Sequence, residues 1–274
     1  MRKFYVLLAG LCLTLGTMAQ TDSSSKHSDT IRIGSLIIVK TGDGHYQNRD
    51  SSVHIYRRHQ RNENVSTNWW IMDFGFSNFT DKTNYNSAAA QLLAPGGNED
   101  WFKLRNGKSV NVNFWIFMQR LNMIKHVVNL KYGLGLELNN YRFDTDVRFN
   151  KTANIFYMDN VNHYSKNKLA ADYLTAPLML NFDFTPNNDN NKSFGFSVGA
   201  SAGYLYSSRQ KTITSEEGKK KLHDDFELNQ FKVSYVAEIQ LGPVKLYGSM
   251  ATQSMFKKGF DQTPYNIGFR LSNW

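Results

Sequence analysis

Residues 127–140 read VVNLKYGLGLELNN, and this stretch decides the fold class. Val128, Leu130, Tyr132, Leu134, Leu136 and Leu138 occupy every second position, with Asn129, Lys131, Gly133, Gly135, Glu137 and Asn139 between them. Strict alternation separates apolar and polar groups onto opposite faces of an extended chain. A helix, with a period of about 3.6, would mix them. The pattern recurs on both sides. Toward the N-terminus, NWWIMDFGFSNF (68–79) sets Trp70, Met72, Phe74 and Phe76 against Asp73, Gly75 and Ser77. SVNVNFWIFMQ (109–119) sets Val110, Val112, Phe114, Ile116 and Met118 against Asn111, Asn113 and Gln119. Toward the C-terminus, YLTAPLMLNFDF (173–184), SFGFSVGASAGYLY (193–206), FKVSYVAEIQL (231–241) and TPYNIGFRLSNW (263–274) alternate too, and VKLYGSMATQSM (244–255) does so more weakly. The count is eight strands.

The connections alternate in length. Leu121 to Lys125, TPNNDNNK (185–192) and Gly242-Pro243 are short, whereas 79–108, 144–168 and 207–228 are long; only Lys257 to Gln262 breaks the trend. Tight turns at one end and long loops at the other are the habit of membrane barrels. The expected fold is all-β, an eight-stranded antiparallel up-and-down transmembrane β-barrel over 67–274 with both termini in the periplasm. Periodicity alone also allows a soluble barrel or sandwich, with the apolar face inside. Long unbroken apolar faces and Gly-, Ser- and Asn-rich polar faces favour lipid outside and a narrow crowded interior.

The first 19 residues read as a signal peptide. Arg2 and Lys3 precede a short apolar core from Phe4 to Gly16, and Thr17-Met18-Ala19 places the cut between Ala19 and Gln20. Cys12, the single cysteine, lies inside it, so the mature chain would carry no disulfide or thiol nucleophile. Residues 20–66 form a polar lead-in in which DTIRIGSLIIVK and SSVHIYRR suggest a small hairpin. The formal charge of +9 is spread along the chain rather than gathered in a block. It suits anionic lipid and lipopolysaccharide as partners, and no nucleic-acid motif accompanies it.

Beyond these patterns, residues 68–274 are similar to the PorT-type outer-membrane β-barrel proteins of Gram-negative bacteria, which resemble small barrels of the OmpA and OmpX kind. NWWIMDFGFSNF (68–79), YGLGLELNNY (132–141), YLTAPLML (173–180), GASAGYLY (199–206) and the terminal YNIGFRLSNW carry the resemblance, mainly through their order and spacing. It implies export and the barrel-assembly machinery as a partner. Some relatives take part in protein secretion, so secretion-complex proteins are further candidate partners. Trp274 matches the aromatic ending of such barrels, although Ser272 and Arg270, in phase with it, are polar.

The inward face carries Asp73, Lys131, Glu137, Asp183, Lys232, Glu238, Lys245 and Arg270. Charges inside so narrow a barrel must pair, because unpaired burial costs several kcal/mol each. Arg270 is expected to meet Asp73, since the first and last strands must pair to close the ring. The network would fill the lumen as a structural plug; the alternative is a gated ion path. Trp70, Tyr141, Tyr206 and Trp274 are candidate membrane-interface aromatics, while Trp69, Trp101 and Trp115 suit core or loop packing. His163 and Ser165 have the His-x-Ser spacing of lipid A deacylases, but on an expected outer loop. His45, His54 and His59 match no metal motif. EEGKKKLHDD (216–225) is a mixed-charge loop tip able to contact lipopolysaccharide phosphates. The chain is therefore expected to be a non-enzymatic barrel without cofactor or metal. The alternatives are an accessory component of a secretion or assembly complex, with 20–66 as docking arm, and a lipid-modifying enzyme.

Overall fold

A computed structural model describes residues 63–186, 193–216 and 218–272, together with the strand backbone at 29–33, 36–40 and 53–57. The chain forms two compact units that divide between Arg61 and Asn62. In the first, β1 (Asp29–Ile33), β2 (Leu36–Lys40) and β3 (Val53–Arg57) form an antiparallel three-stranded sheet, one strand more than the expected hairpin. The expected signal segment with its Ala19–Gln20 cut lies outside the described residues, as do the side chains of His45, His54 and His59.

The second unit is a closed antiparallel ring of eight strands. They are β4 (Val65–Asp81), β5 (Val110–Ile124), β6 (Val128–Phe143), β9 (Lys166–Asp183), β10 (Phe194–Thr214), β12 (Phe231–Leu241), β13 (Val244–Ala251) and β14 (Gln262–Leu271). Each pairs with the next; β14 pairs with β4, and β9 with β10, so no edge remains within the ring. The long loops add a hairpin, β7 (Val147–Asn150) with β8 (Ile155–Met158), and a strand β11 (Gly218–His223) that extends the sheet beside β10. They also hold a short helix, α1 (Ala88–Leu93), capped by the Ser87 hydroxyl.

The ring is apolar outside and polar inside. Phe74, Phe76, Leu178, Val198, Tyr235 and Ile267 are exposed, whereas Asp73, Lys131, Asn139, Asn181, Lys245 and Arg270 are buried. A water-soluble sandwich would show the reverse. Among the described residues no helix is long and apolar enough to cross a membrane.

Register shifts interrupt the alternation at Trp115/Phe117, Asn122/Ile124 and Leu205/Ser207. In the β5–β6 ladder Trp115 pairs with Gly135 and Phe117 with Leu134, which leaves Ile116 as an extra residue. A bulge turns every later side chain to the other face. Met118, expected outside with Phe114, is therefore fully buried in the lumen, and Phe117 faces out. Across from it, Trp70 adopts φ +58, and Trp69 and Trp70 are both exposed at 61% and 64%. Trp69, expected to pack, thus lies outside against Phe117, their ring centres 5.9 Å apart. The irregularity at Leu205/Ser207 in β10 precedes a strand that continues well past Tyr206.

Short connections gather at one end of the ring. Lys125 and His126, both with positive φ, make a two-residue turn closed by Val127 N–H donating to the Ile124 carbonyl at 2.9 Å. Gly242, with φ +61, and Pro243 make another. Residues 82–109, 144–165, 215–230 and 252–261 gather at the other end.

Candidate functional site: a charged lumen beneath an aromatic cap

Inside the ring, Asp73 on β4 and Arg270 on β14 are directly opposite partners in the closing ladder. Their side chains make a two-point ion pair, Nε to Oδ1 at 2.5 Å and Nη2 to Oδ2 at 2.7 Å. The third arm of the guanidinium, Nη1, reaches Glu238 on β12 at 2.5 Å, and Lys131 on β6 also pairs with Glu238. Trp115 Nε1 and Asn113 Nδ2 donate to Asp73 at 2.7 and 3.1 Å. The Arg270 guanidinium lies 5.4 Å from the Trp115 ring centre, within cation–π reach.

A second layer surrounds Glu137. Lys232 pairs with it, and Asn139, Thr175 and Asn266 donate to it at 3.1, 3.2 and 3.1 Å. Lys232 also sits 4.3 Å from the centre of the Tyr173 ring. Toward the short turns, Arg120 pairs with Asp183 at 3.2 Å, and Lys245 donates to the Ser272 hydroxyl at 2.7 Å. All eight expected inward charges are thus buried within the ring. Arg120 belongs with them but was not expected there. It follows the Ile116 bulge, and its inward turn is invisible to a strict period of two.

Tyr247 on β13, together with the Ile267 and Phe74 carbonyls, crowds two glycines. Its ring crosses Gly268 on β14 and Gly75 on β4, which pair directly, to donate to Asn111 on β5. A Cβ at Gly75 would stand 2.6 Å from the Tyr247 hydroxyl, and one at Gly268 would stand 2.7 Å from its ring. Side chains fill the lumen so fully that the cavity beside Asp73, Trp115, Glu238 and Arg270 holds only about 30 Å³, room for about one water.

Above the polar lumen the chemistry changes. The four long loops bury an aromatic core rather than waving free. Phe102 from the first loop packs on Phe260 of the fourth, ring centres 4.8 Å apart, and on Phe156 of the second at 5.5 Å. Phe149 joins Phe156 to Phe226 of the third loop, each 4.9 Å away. Leu93 and Ala94 from the first loop, Val147 from the second and Met255 from the fourth complete the cluster. Tyr141, expected at the membrane interface, is instead 2% exposed on the inner face beneath this cap. It is in phase with Glu137 and Asn139, so the alternation of β6 itself turns it inward. Trp70 and Tyr206 are outside and exposed, and Trp274 lies outside the described residues.

The remaining candidates are separate from each other. His163 Nδ1 hydrogen-bonds Asp146 at 2.8 Å, while the Ser165 hydroxyl donates to the Ile213 carbonyl at 3.1 Å. Nearby, burial alone would raise the Asp159 carboxyl. Hydrogen bonds from Tyr164, Asn162 and Val161 outweigh it and hold the group at about 2. Among the described residues no group of His, Cys, Asp and Glu is arranged to hold a metal ion.

A closed antiparallel ring with an apolar outside and a charged, filled inside is the arrangement of small outer-membrane barrels. No curated protein matches the chain. The sequence model described as "outer membrane protein beta-barrel domain" matches residues 47–251, and the chain belongs to that family.

Proposed function

We propose that this protein is a non-enzymatic outer-membrane barrel of the PorT-like kind. Its lumen is a structural plug, its capped loop end faces outward, and both termini face the periplasm. Its role is structural or surface-interacting. The observation carrying this reading is the inverted polarity: exposed Phe76 and Ile267 outside, and Asp73 and Arg270 buried around a cavity of about 30 Å³. Such a lumen gives ions no path without breaking buried pairs. Two measurements test the reading. The outer-membrane protein should migrate differently before and after boiling, and reconstituted into planar bilayers it should pass no steady current. Recovery in the soluble periplasmic fraction would end the membrane reading, and stable conductance would end the plug.

The separate sheet β1–β3 favours one second reading, an accessory component of a secretion or assembly complex that docks through the lead-in, expected at 20–66 and shortened to 20–61 because Asn62 onward belongs to the second unit. Deleting those residues should then leave heat-modifiable mobility intact while secretion is lost. For the lipid-modifying alternative, the bonds of His163 to Asp146 and of Ser165 to a backbone carbonyl offer no general-base pair. His163→Ala and Ser165→Ala should therefore leave lipid A mass profiles unchanged.

A further inference from the structure

On the outer face of the ring the apolar band changes character near the loops. It runs up through Leu138 on β6, Leu174 on β9 and Tyr206 on β10, and beyond it the outward positions turn basic. The strand register then lines up four cations. Arg142 on β6 is opposite Lys168 on β9, Lys168 is opposite Lys211 on β10, and Lys211 is opposite Lys221 on β11. Neighbouring strands lie about 4.8 Å apart, so the row places four positive charges side by side. Like charges directly opposite one another destabilise a sheet. The row is reinforced by Lys166 and Lys219, each opposite Ile213.

The nearby carboxylates offset this row only in part: Asp172 attracts Lys168, but Lys166, Lys211 and Arg209 each repel it more strongly. Asp144 is engaged by Arg105 at 2.5 Å, and Asp172 by Arg209. Arg142 Nη2 donates to the Ser165 carbonyl at 2.5 Å, and Lys168 donates to the side chain of Asn140; both acceptors are neutral. Arg142 Nε is buried without a hydrogen-bond partner among the described residues. The charges that act most strongly on Lys211, those of Lys219, Lys166, Lys221 and Arg209, are all of its own sign. Four residues separate Arg142 from Leu138. On a strand tilted about 40° they raise the row roughly 10 Å above the apolar band, into the headgroup layer.

We propose that the row Arg142–Lys168–Lys211–Lys221 binds the phosphate groups of a phosphorylated glycolipid headgroup in the leaflet at the loop end. Phosphate oxygens supply the missing counter-charge. Arg142 can take them with its planar fork, and the three lysines act as point charges. Sequence alone points only to the Lys219–Lys221 run, because the other members come from three distant segments that the register brings together. The proposal rests on the membrane reading above.

The test uses the full chain folded in detergent, with diphosphoryl lipid A, its dephosphorylated form and inorganic phosphate as probes. The variant carries Lys168→Gln, Lys211→Gln and Lys221→Gln, and the control carries Lys103→Gln, Lys108→Gln and Lys151→Gln elsewhere on the loops. Heat-modifiable mobility establishes that each is folded, so failure of the membrane reading is recognised separately. Diphosphoryl lipid A is expected to bind the parent and the control alike. The row variant is expected to bind it at least about tenfold more weakly, with a shallower salt dependence. Arginine at the same three positions should restore binding. Equal binding by folded parent and row variant overturns the proposal, as does equal binding of the dephosphorylated lipid. Inorganic phosphate binding as tightly as the lipid would show a free-anion site and overturn the headgroup assignment.

Discussion

Arg270 is surrounded by Asp73, Glu238 and Trp115, whereas Phe156 is surrounded by Phe102, Phe149, Phe256 and Phe260. Both fill the interior of one closed ring, at different levels. The lumen depends on directional partners: Asp73 and Arg270 are 197 residues apart in sequence and meet only when β14 closes on β4. A slip of one residue in that ladder would turn Arg270 toward lipid, so the pair specifies closure. The cap depends on contact area. Its rings come from four loops and the strand ends beneath them, and of these only Phe149 and Phe156 pair with each other in a ladder. Lumen substitutions should therefore act on whether the ring forms, and cap substitutions on whether the loops stay shut.

The largest expected effect is in the lumen. Arg270→Ala leaves Asp73 a buried carboxylate without its ion-pair partner and Glu238 with Lys131 alone, and should destabilise by about 3–5 kcal/mol. Loss of the unboiled fast-migrating band would report it. A sharper form replaces the connected charges together, with Arg270→Met, Asp73→Leu, Glu238→Leu and Lys131→Met, so that no ion-pair partner in this network is left behind. If pairing matters more than charge itself, this variant should recover most of the stability that the single change removes. Urea midpoints in detergent that leave the fourfold variant no better than Arg270→Ala would count against that account.

The cap should give a comparable loss in a different place. Phe156→Ala removes a ring packed against Phe102, Phe149, Phe256 and Phe260 and should cost about 3 kcal/mol. The contrast lies in the readout. Protease should cut within 144–165 or 252–261 more rapidly, while heat-modifiable mobility persists. If the ring and the loops fail together, lumen and cap form one cooperative unit and the distinction drawn between them is lost.

A smaller effect separates shape from charge inside the lumen. Gly268→Ala forces a methyl group into the Tyr247 ring, and overpacking of this kind costs about 1–3 kcal/mol. Combining it with Tyr247→Ala should restore part of the loss, since the crowding side chain is gone. A combined loss equal to the sum of the two single losses would mean that the glycine is required by the backbone contact to the Phe74 carbonyl, at 2.3 Å from the added Cβ, rather than by the ring.

The two regions also differ in how far the sequence reveals them. Alternation is a local property, so the eight strands and the shared polar face of Asp73 and Arg270 are readable from residue spacing alone, whereas the choice of that face as the inner one rests on the loop lengths and the small residues of the polar face. Closure of an eight-stranded ring adds the one long-range pairing that puts Arg270 beside Asp73. A single extra residue at Ile116 defeats the same rule from that point on, which is why Met118 and Arg120 change faces. The cap leaves little periodic trace beyond the Val147–Phe149 alternation of the β7–β8 hairpin. Phe102, Phe226 and Phe260 stand at irregular spacing, and only the clustering of the four loops makes them neighbours. Tyr141 illustrates the boundary: its phase was legible, but an aromatic core above the lumen to receive it was not.

The smallest expected effect tests the cap's polar rim. Asp159 accepts from the Tyr164 hydroxyl at 2.5 Å and from the Val161 and Asn162 backbone N–H groups, each at 3.0 Å. Its carboxyl is held at about 2, below the ordinary value of 3.8. A carboxyl depressed on folding contributes fully above its unfolded value and loses that contribution as pH falls through its folded one. The loop at 159–165 should therefore hold from neutral pH to about pH 4 and loosen toward pH 2, where protonation removes the acceptor. Tyr164→Phe deletes one of these bonds and should cost about 1 kcal/mol at neutral pH. It should also raise the pH at which the loop opens, because the Asp159 carboxyl then loses one of the bonds that hold it low. Hydrogen exchange at the Val161 and Asn162 amides between pH 2 and pH 5 reads both effects. Equal protection in parent and variant across that range would remove this bond from the account of the cap.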